Sequence, residues 1–130
     1  MRILIDTQAW VWWLIEPRKL SRDAIALLED RQTTVYLSTV CVWEVVIKYA
    51  VGKLVLPAAP AIMVPRSMAD DGLVELPIEH RHALQVTHLP LHHRDPFDRV
   101  IIAQAQVEGM PILTADRQFA RYDVDVIQAG

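Results

Sequence analysis

Apolar and polar positions follow two rhythms along this chain. Short apolar runs at residues 2–5, 34–37, 73–76, 111–114 and 124–127 read as strands; the first closes on Asp6 and the fourth runs on to Asp116. Between them, apolar residues recur every three or four positions and predict helices. Thr7 is placed to cap the first, which carries Ala9, Trp10, Trp13 and Leu14 inward and breaks at Glu16-Pro17. Ser21 caps a second with Ala24, Ile25 and Leu28 on its apolar face, and Ser38 caps a third running to Tyr49 with Val42, Val45 and Val46 on one stripe. The spacing further predicts a helix from Ile78 to Val86 packed through Ala83, Leu84 and Val86, a long one from Pro96 to Gly109, and a helical turn from Arg117 to Arg121. Residues 58–71 contain Pro60 and Pro65, each suited to a helix start; the expectation is one short helix and then a second from Pro65 to Asp70, stopped by Gly72.

Strands alternating with helices imply a central, mostly parallel sheet covered on both faces, an α/β domain occupying residues 1–130. With 52% hydrophobic and 22% charged residues the chain has enough apolar material for a core and is not a disordered polymer. No apolar run approaches the roughly 18 residues needed to span a bilayer, and the start of the chain lacks a signal-peptide layout. The one cysteine, Cys41, rules out an internal disulfide or a multi-cysteine zinc site, which suits a reducing cytoplasm. A net charge of −3 does not advertise a nucleic-acid binder, though basic side chains gathered on one face still can make one.

In an open parallel sheet, ligands bind beyond the carboxyl ends of the strands. Asp6 and Asp116 stand at two such ends. Glu44, on the helix leaving a third, leans back toward the same edge because helical side chains tilt toward their own N-terminus. Asp98 lies in the first turn of the helix opened by Asp95-Pro96, where Asp95 is a good N-cap and Pro96 loses nothing by lacking an N–H. Three of these acids also have a plain reading: Asp95 and Asp98 start a helix, and Glu44 pairs with Lys48 one turn on. Four carboxylates on one rim repel strongly, and a divalent cation removes the cost; an all-oxygen set favours Mg²⁺ or Mn²⁺. Such a site activates water to attack a phosphodiester. Thr7, Thr114 and Asp95 are secondary candidates, and Arg94, Arg99 and Arg117 are candidates for steering phosphate. The five histidines match no zinc template and read as loop or surface residues, with His92 and His93 beside the acidic rim. Trp12 points away from the Trp10/Trp13 stripe and is the candidate for a protein interface.

Leu4-Ile5-Asp6-Thr7, Ser38 with Trp43-Glu44 and Lys48, Gly52-Lys53-Leu54, the run His93-Arg94-Asp95-Pro96-Phe97-Asp98-Arg99 with Ala103-Gln104-Ala105, and Leu113-Thr114-Ala115-Asp116 together resemble PIN-domain ribonucleases of the VapC type, in the family's order. The resemblance implies a three-layer α/β/α domain and magnesium-dependent cleavage of RNA by Asp6, Glu44, Asp98 and Asp116. It also implies a cognate antitoxin protein that covers the site, and frequent homodimers. The competing expectations are a receiver-like phosphotransfer domain, which needs an aspartate nucleophile set apart from a metal-binding acidic pair, and a non-catalytic binding module docking through its tryptophans.

Overall fold

The computed structural model describes residues 1–130. The chain runs β1 (Arg2–Ile5), α1 (Thr7–Ile15), α2 (Arg22–Glu29), β2 (Thr34–Ser38), α3 (Thr39–Ala50), α4 (Pro60–Asp71), β3 (Val74–Leu76), α5 (His80–Gln85), α6 (Pro96–Glu108), β4 (Ile112–Thr114) and β5 (Val126–Gln128). The strands form a single sheet in the order β3-β2-β1-β4-β5, and every pairing is parallel. Parallel neighbours need crossovers, and the helices that supply them cover the sheet in a three-layer α/β/α arrangement.

β1 is central because it is apolar on both faces: Ile3, Leu4 and Ile5 are fully buried. It pairs Leu4 with Tyr36 on one side and with Ile112 on the other. From β1 the chain builds outward through β2 and β3, then returns to lay β4 on the opposite edge of β1. The order therefore reverses between β1 and β4, which is where a doubly wound sheet opens a crevice at its carboxyl edge. Trp10, Ile101, Ile102, Leu113 and Phe119 complete one continuous core with the strands. Trp10 is fully buried, and its indole Nε1 donates to Ser67 Oγ on α4 at 3.3 Å, tying α4 to α1.

Three local expectations are corrected. Asp6, not Thr7, caps α1: the Asp6 carboxylate accepts the Ala9 N–H, and Thr7 is already helical. Residues 60–71 form one helix with Pro65 inside it rather than two helices meeting there. Pro65 is exposed, so its ring points to solvent, and the helix loses one N–H donor without interrupting its buried face around Ser67. The inward face of α5 is also different. Ala83 and Leu84 are exposed, with Leu84 at 66%, and the residue driven into the core is His82. α5 spans only His80–Gln85, because the chain tightens into a 3₁₀ turn over Val86–His88, which shifts the buried face. His82 Nδ1 accepts the Glu79 N–H at 3.0 Å and so takes part in capping α5, a polar role that makes its burial tolerable.

Replacing Pro65 by alanine restores the missing intrahelical donor at an exposed site. Pro65→Ala is expected to stabilise the protein by on the order of 1 kcal/mol and raise its melting temperature in a thermal circular-dichroism scan.

Candidate active site

The carboxyl edge of the sheet gathers acids because strand ends there become helix starts. Asp6 follows β1 directly and is 3% exposed; Oδ1 accepts the Ala9 N–H at 2.8 Å and Oδ2 accepts the Thr114 hydroxyl at 2.5 Å. Asp116 follows β4 and caps the 3₁₀ turn Arg117–Arg121 through the Gln118 N–H, while its own N–H donates to Thr114 Oγ1 at 2.9 Å. Thr114 thus links the two strand-end acids. Glu44, in the second turn of α3, is 3% exposed; Thr7 Oγ1 donates to Oε1 at 2.6 Å and Lys48 Nζ to Oε2 at 2.5 Å. Asp95 caps α6 through the Phe97 N–H, and Asp98 falls in the first turn of α6. All five acids line one cavity of about 510 Å³, whose wall also includes Trp12, Lys19 and Lys48.

His93, which the sequence places in a loop beside the acidic rim, sits among these acids. Its Nε2 lies 2.9 Å from Asp98 Oδ2 and 2.9 Å from Asp116 Oδ2, and the three ligand-type atoms fall within 4.8 Å of one another. Carboxylate and imidazole groups able to coordinate a metal are therefore gathered here. The ring's other nitrogen fixes its state: the Asp95 N–H donates to His93 Nδ1 at 3.2 Å, so Nδ1 supplies a lone pair and Nε2 carries the proton. In this arrangement His93 is a donor shared by Asp98 and Asp116.

Burial and mutual repulsion both act against ionisation. The Asp6 carboxyl is pushed up to about 6, mainly by desolvation, with Asp116 and Glu44 adding repulsion while the Thr114 and Ala9 hydrogen bonds oppose the rise. Asp98 is pushed up to about 8, again first by desolvation and then by Asp95, Glu44, Asp6 and Asp116. Glu44 holds the Lys48 ammonium above its ordinary range through their hydrogen bond. Cys41, buried behind the site, has its thiol pushed well up by desolvation, so it is not a thiolate nucleophile.

The structure brings Asp6, Glu44, Asp98 and Asp116 into one cavity, with Thr7 and Thr114 hydrogen-bonded to two of them. It does not bring the three arginines there. Arg94 and Arg117 are exposed and absent from the cavity wall. Arg99 directs its guanidinium to the carbonyls of Pro90, His93, Val86 and Leu89, bracing the loop that carries His93. The cations that do face the cavity are Lys48, which an i,i+4 spacing from Glu44 reveals, and Lys19, which no local pattern reveals. Trp12 is half-buried on the cavity wall, with Lys19 Nζ 5.8 Å from its ring centre. A second acid–histidine group, Glu79, His82 and Glu108, lies elsewhere. There His82 Nδ1 is an acceptor, so Nε2 keeps its proton, and Arg81 neutralises both glutamates; neither condition suits a metal.

Comparison with known proteins places this geometry. The PIN domain model matches residues 3–125. The ribonuclease VapC16 of Mycobacterium tuberculosis is 34% identical over 68 residues, which are 49% of this chain and 48% of that protein, so the match spans about half the length of the curated relative. VapBC2 of Rickettsia felis, solved bound to a DNA fragment from its promoter, superposes with a TM-score of 0.77 at 14% identity over 100% of both chains. DNA-bound VapBC of Salmonella typhimurium does so with a TM-score of 0.69 at 17% identity, over 98% of this chain and 97% of the other. At these identities the solved structures establish a shared fold. With the model matched across nearly its whole length, the chain belongs to the PIN domain family.

Proposed function

We propose that this protein is a Mg²⁺- or Mn²⁺-dependent endoribonuclease, the toxin component of a VapBC-type toxin–antitoxin pair. The observation that carries this reading is the gathering of Asp6, Glu44, Asp98 and Asp116 around one cavity, Asp6 and Glu44 buried and Asp98 and Asp116 partly so, with Asp6 and Asp98 held far above the ordinary carboxylate range. Acids in that state favour an arriving positive charge, and an all-oxygen donor set fits a hard divalent cation rather than zinc. When bound, such a cation supplies the missing charge and activates water for attack on a phosphodiester.

The chain's own groups set the geometry for that chemistry. Thr114 fixes Asp6 and, through the Asp116 N–H, sets the spacing between the two strand ends. Thr7 fixes the inner oxygen of Glu44. His93 draws Asp98 and Asp116 to a shared proton, so neither swings out to solvent. Asp95 serves both as the cap of α6 and, through its N–H, as the group that fixes the His93 ring. Support for the toxin role comes from the similarity to a protein named as a VapC ribonuclease and to VapBC complexes. A cognate antitoxin and RNA are the corresponding partners, with a homodimer or a hetero-oligomer with the antitoxin as the assembly. No helix is long and apolar enough to cross a membrane, and a cytoplasmic location accords with the single buried thiol.

Asp6→Asn and Asp98→Asn each keep the side chain's size while removing a charge that would hold the ion. Both variants are expected to lose Mg²⁺-dependent RNA cleavage while keeping the native circular-dichroism spectrum; undiminished cleavage in either excludes its role. The raised carboxyl groups also fix the pH dependence of stability. Asp6 and Asp98 bind protons more tightly folded than unfolded, so the stability they contribute is fully present below about pH 4 and is lost as pH rises through about 6 for Asp6 and about 8 for Asp98. The Asp6 share alone is on the order of 3 kcal/mol. Denaturant titrations across this range are expected to show the fall without Mg²⁺ and a much flatter profile with it. Asp95→Ala removes the cap of α6 but leaves its N–H on His93; a loss of about 1 kcal/mol with cleavage retained is expected from melting and activity assays.

A further inference from the structure

The two oxygens of Glu44 are both occupied by the chain itself: Oε1 takes the Thr7 hydroxyl and Oε2 takes the Lys48 ammonium. The two partners differ in kind. Thr7 is buried and helical, whereas the Lys48 side chain is 45% exposed and reaches in from the cavity mouth on a flexible stem. Besides Glu44, the charges acting on it are Asp95 and Asp98, so its ammonium sits among the same acids that favour a divalent cation. An ammonium and a divalent cation in one small cavity repel each other, and both draw on Glu44. Lys48 is the one of the two that can leave, because its stem already opens to solvent.

We propose that Lys48 is an exchangeable counter-ion: it neutralises Glu44 in the metal-free protein, releases that carboxylate when a divalent cation enters, and then binds the phosphate of the polyanionic substrate at the cavity mouth. Lys19, the other cation on the cavity wall, stands beside Trp12 and offers a second phosphate contact. The two lysines thereby take the phosphate-binding part that Arg94, Arg99 and Arg117 are not placed to fill. The second half of this exchange rests on the nuclease reading; the first half, competition for Glu44, does not.

The test is Lys48→Met, which keeps an unbranched stem and removes the charge at the cavity wall. Mn²⁺ binding, followed by electron paramagnetic resonance without RNA, is expected to tighten about fivefold or more. In a Glu44→Gln background the same substitution is expected to gain clearly less Mn²⁺ affinity than in the wild type, because only the direct repulsion between ammonium and cation is relieved and no carboxylate is released. In RNA cleavage at saturating Mg²⁺, Lys48→Met is expected to raise KM about tenfold with kcat within about twofold, and Lys48→Arg to restore KM. Unchanged or weaker Mn²⁺ binding in Lys48→Met, or the same gain in both backgrounds, overturns the exchange. An unchanged KM overturns the phosphate contact. If Mn²⁺ binding shows the predicted coupling while the wild-type protein cuts no RNA, the competition for Glu44 stands and the nuclease reading falls.

Discussion

Negative charge confined where water is scarce is the constraint on which this molecule turns. At an effective dielectric of about 20, two unit charges about 4 Å apart repel by roughly 4 kcal/mol, a large fraction of a domain's net stability. The protein accepts that repulsion at the carboxyl edge of its sheet and disperses part of it. Asp6 and Asp116 each accept a backbone N–H at the start of a helical segment, Asp98 lies in the first turn of α6, and Glu44 is neutralised by Lys48. What is left uncompensated shows in the upward shifts of Asp6 and Asp98.

Capping and site-building are consequently the same act in this fold. A helix that begins at a strand end brings free N–H groups and the positive end of its dipole to that edge, and acids are the residues that satisfy them. Asp6 caps α1, Asp95 caps α6 and Asp116 caps the turn after β4. An aspartate can therefore cap a helical segment and still line the cavity, because the backbone N–H takes only one of its two oxygens. Asp6 shows this most plainly, with Oδ1 on the Ala9 N–H and Oδ2 on Thr114.

This also explains how much was legible in the sequence. The strands, the central place of β1 and the convergence of four acids follow from apolar runs that end in aspartate, because strand direction and helix tilt are local properties that topology then brings together. The polar partners were less accessible. His93 is fixed by the Asp95 N–H, by two carboxylates from different elements and by Tyr122, whose hydroxyl accepts its backbone N–H at 2.7 Å; no spacing along the chain encodes that set. His82 looked like a surface residue, yet is fully buried, since a 3₁₀ turn shortens α5 and reorients its face. Arg99 looked like a phosphate ligand from its neighbours in sequence, but a guanidinium on α6 meets the loop carbonyls first. Pro65 looked like a boundary because a proline inside a helix is costly; exposure and the anchoring of α4 through Ser67 let the helix run on.

Net charge is the least informative quantity about what this surface meets. The chain carries −3 overall, and the five acids and two lysines on the cavity wall concentrate the same formal charge in one place, yet on the nuclease reading proposed above the substrate is a polyanion. The conflict resolves only if charge is considered by position. On the nuclease reading, phosphate is repelled by the metal-free cavity of acids, and that repulsion keeps substrate out until positive charge has entered. On the counter-ion proposal, a lysine that neutralises Glu44 beforehand gives that acid up to the incoming cation and turns outward to meet phosphate. On that proposal the order of binding follows from electrostatics: cation first, substrate second, with no moving segment needed to enforce it.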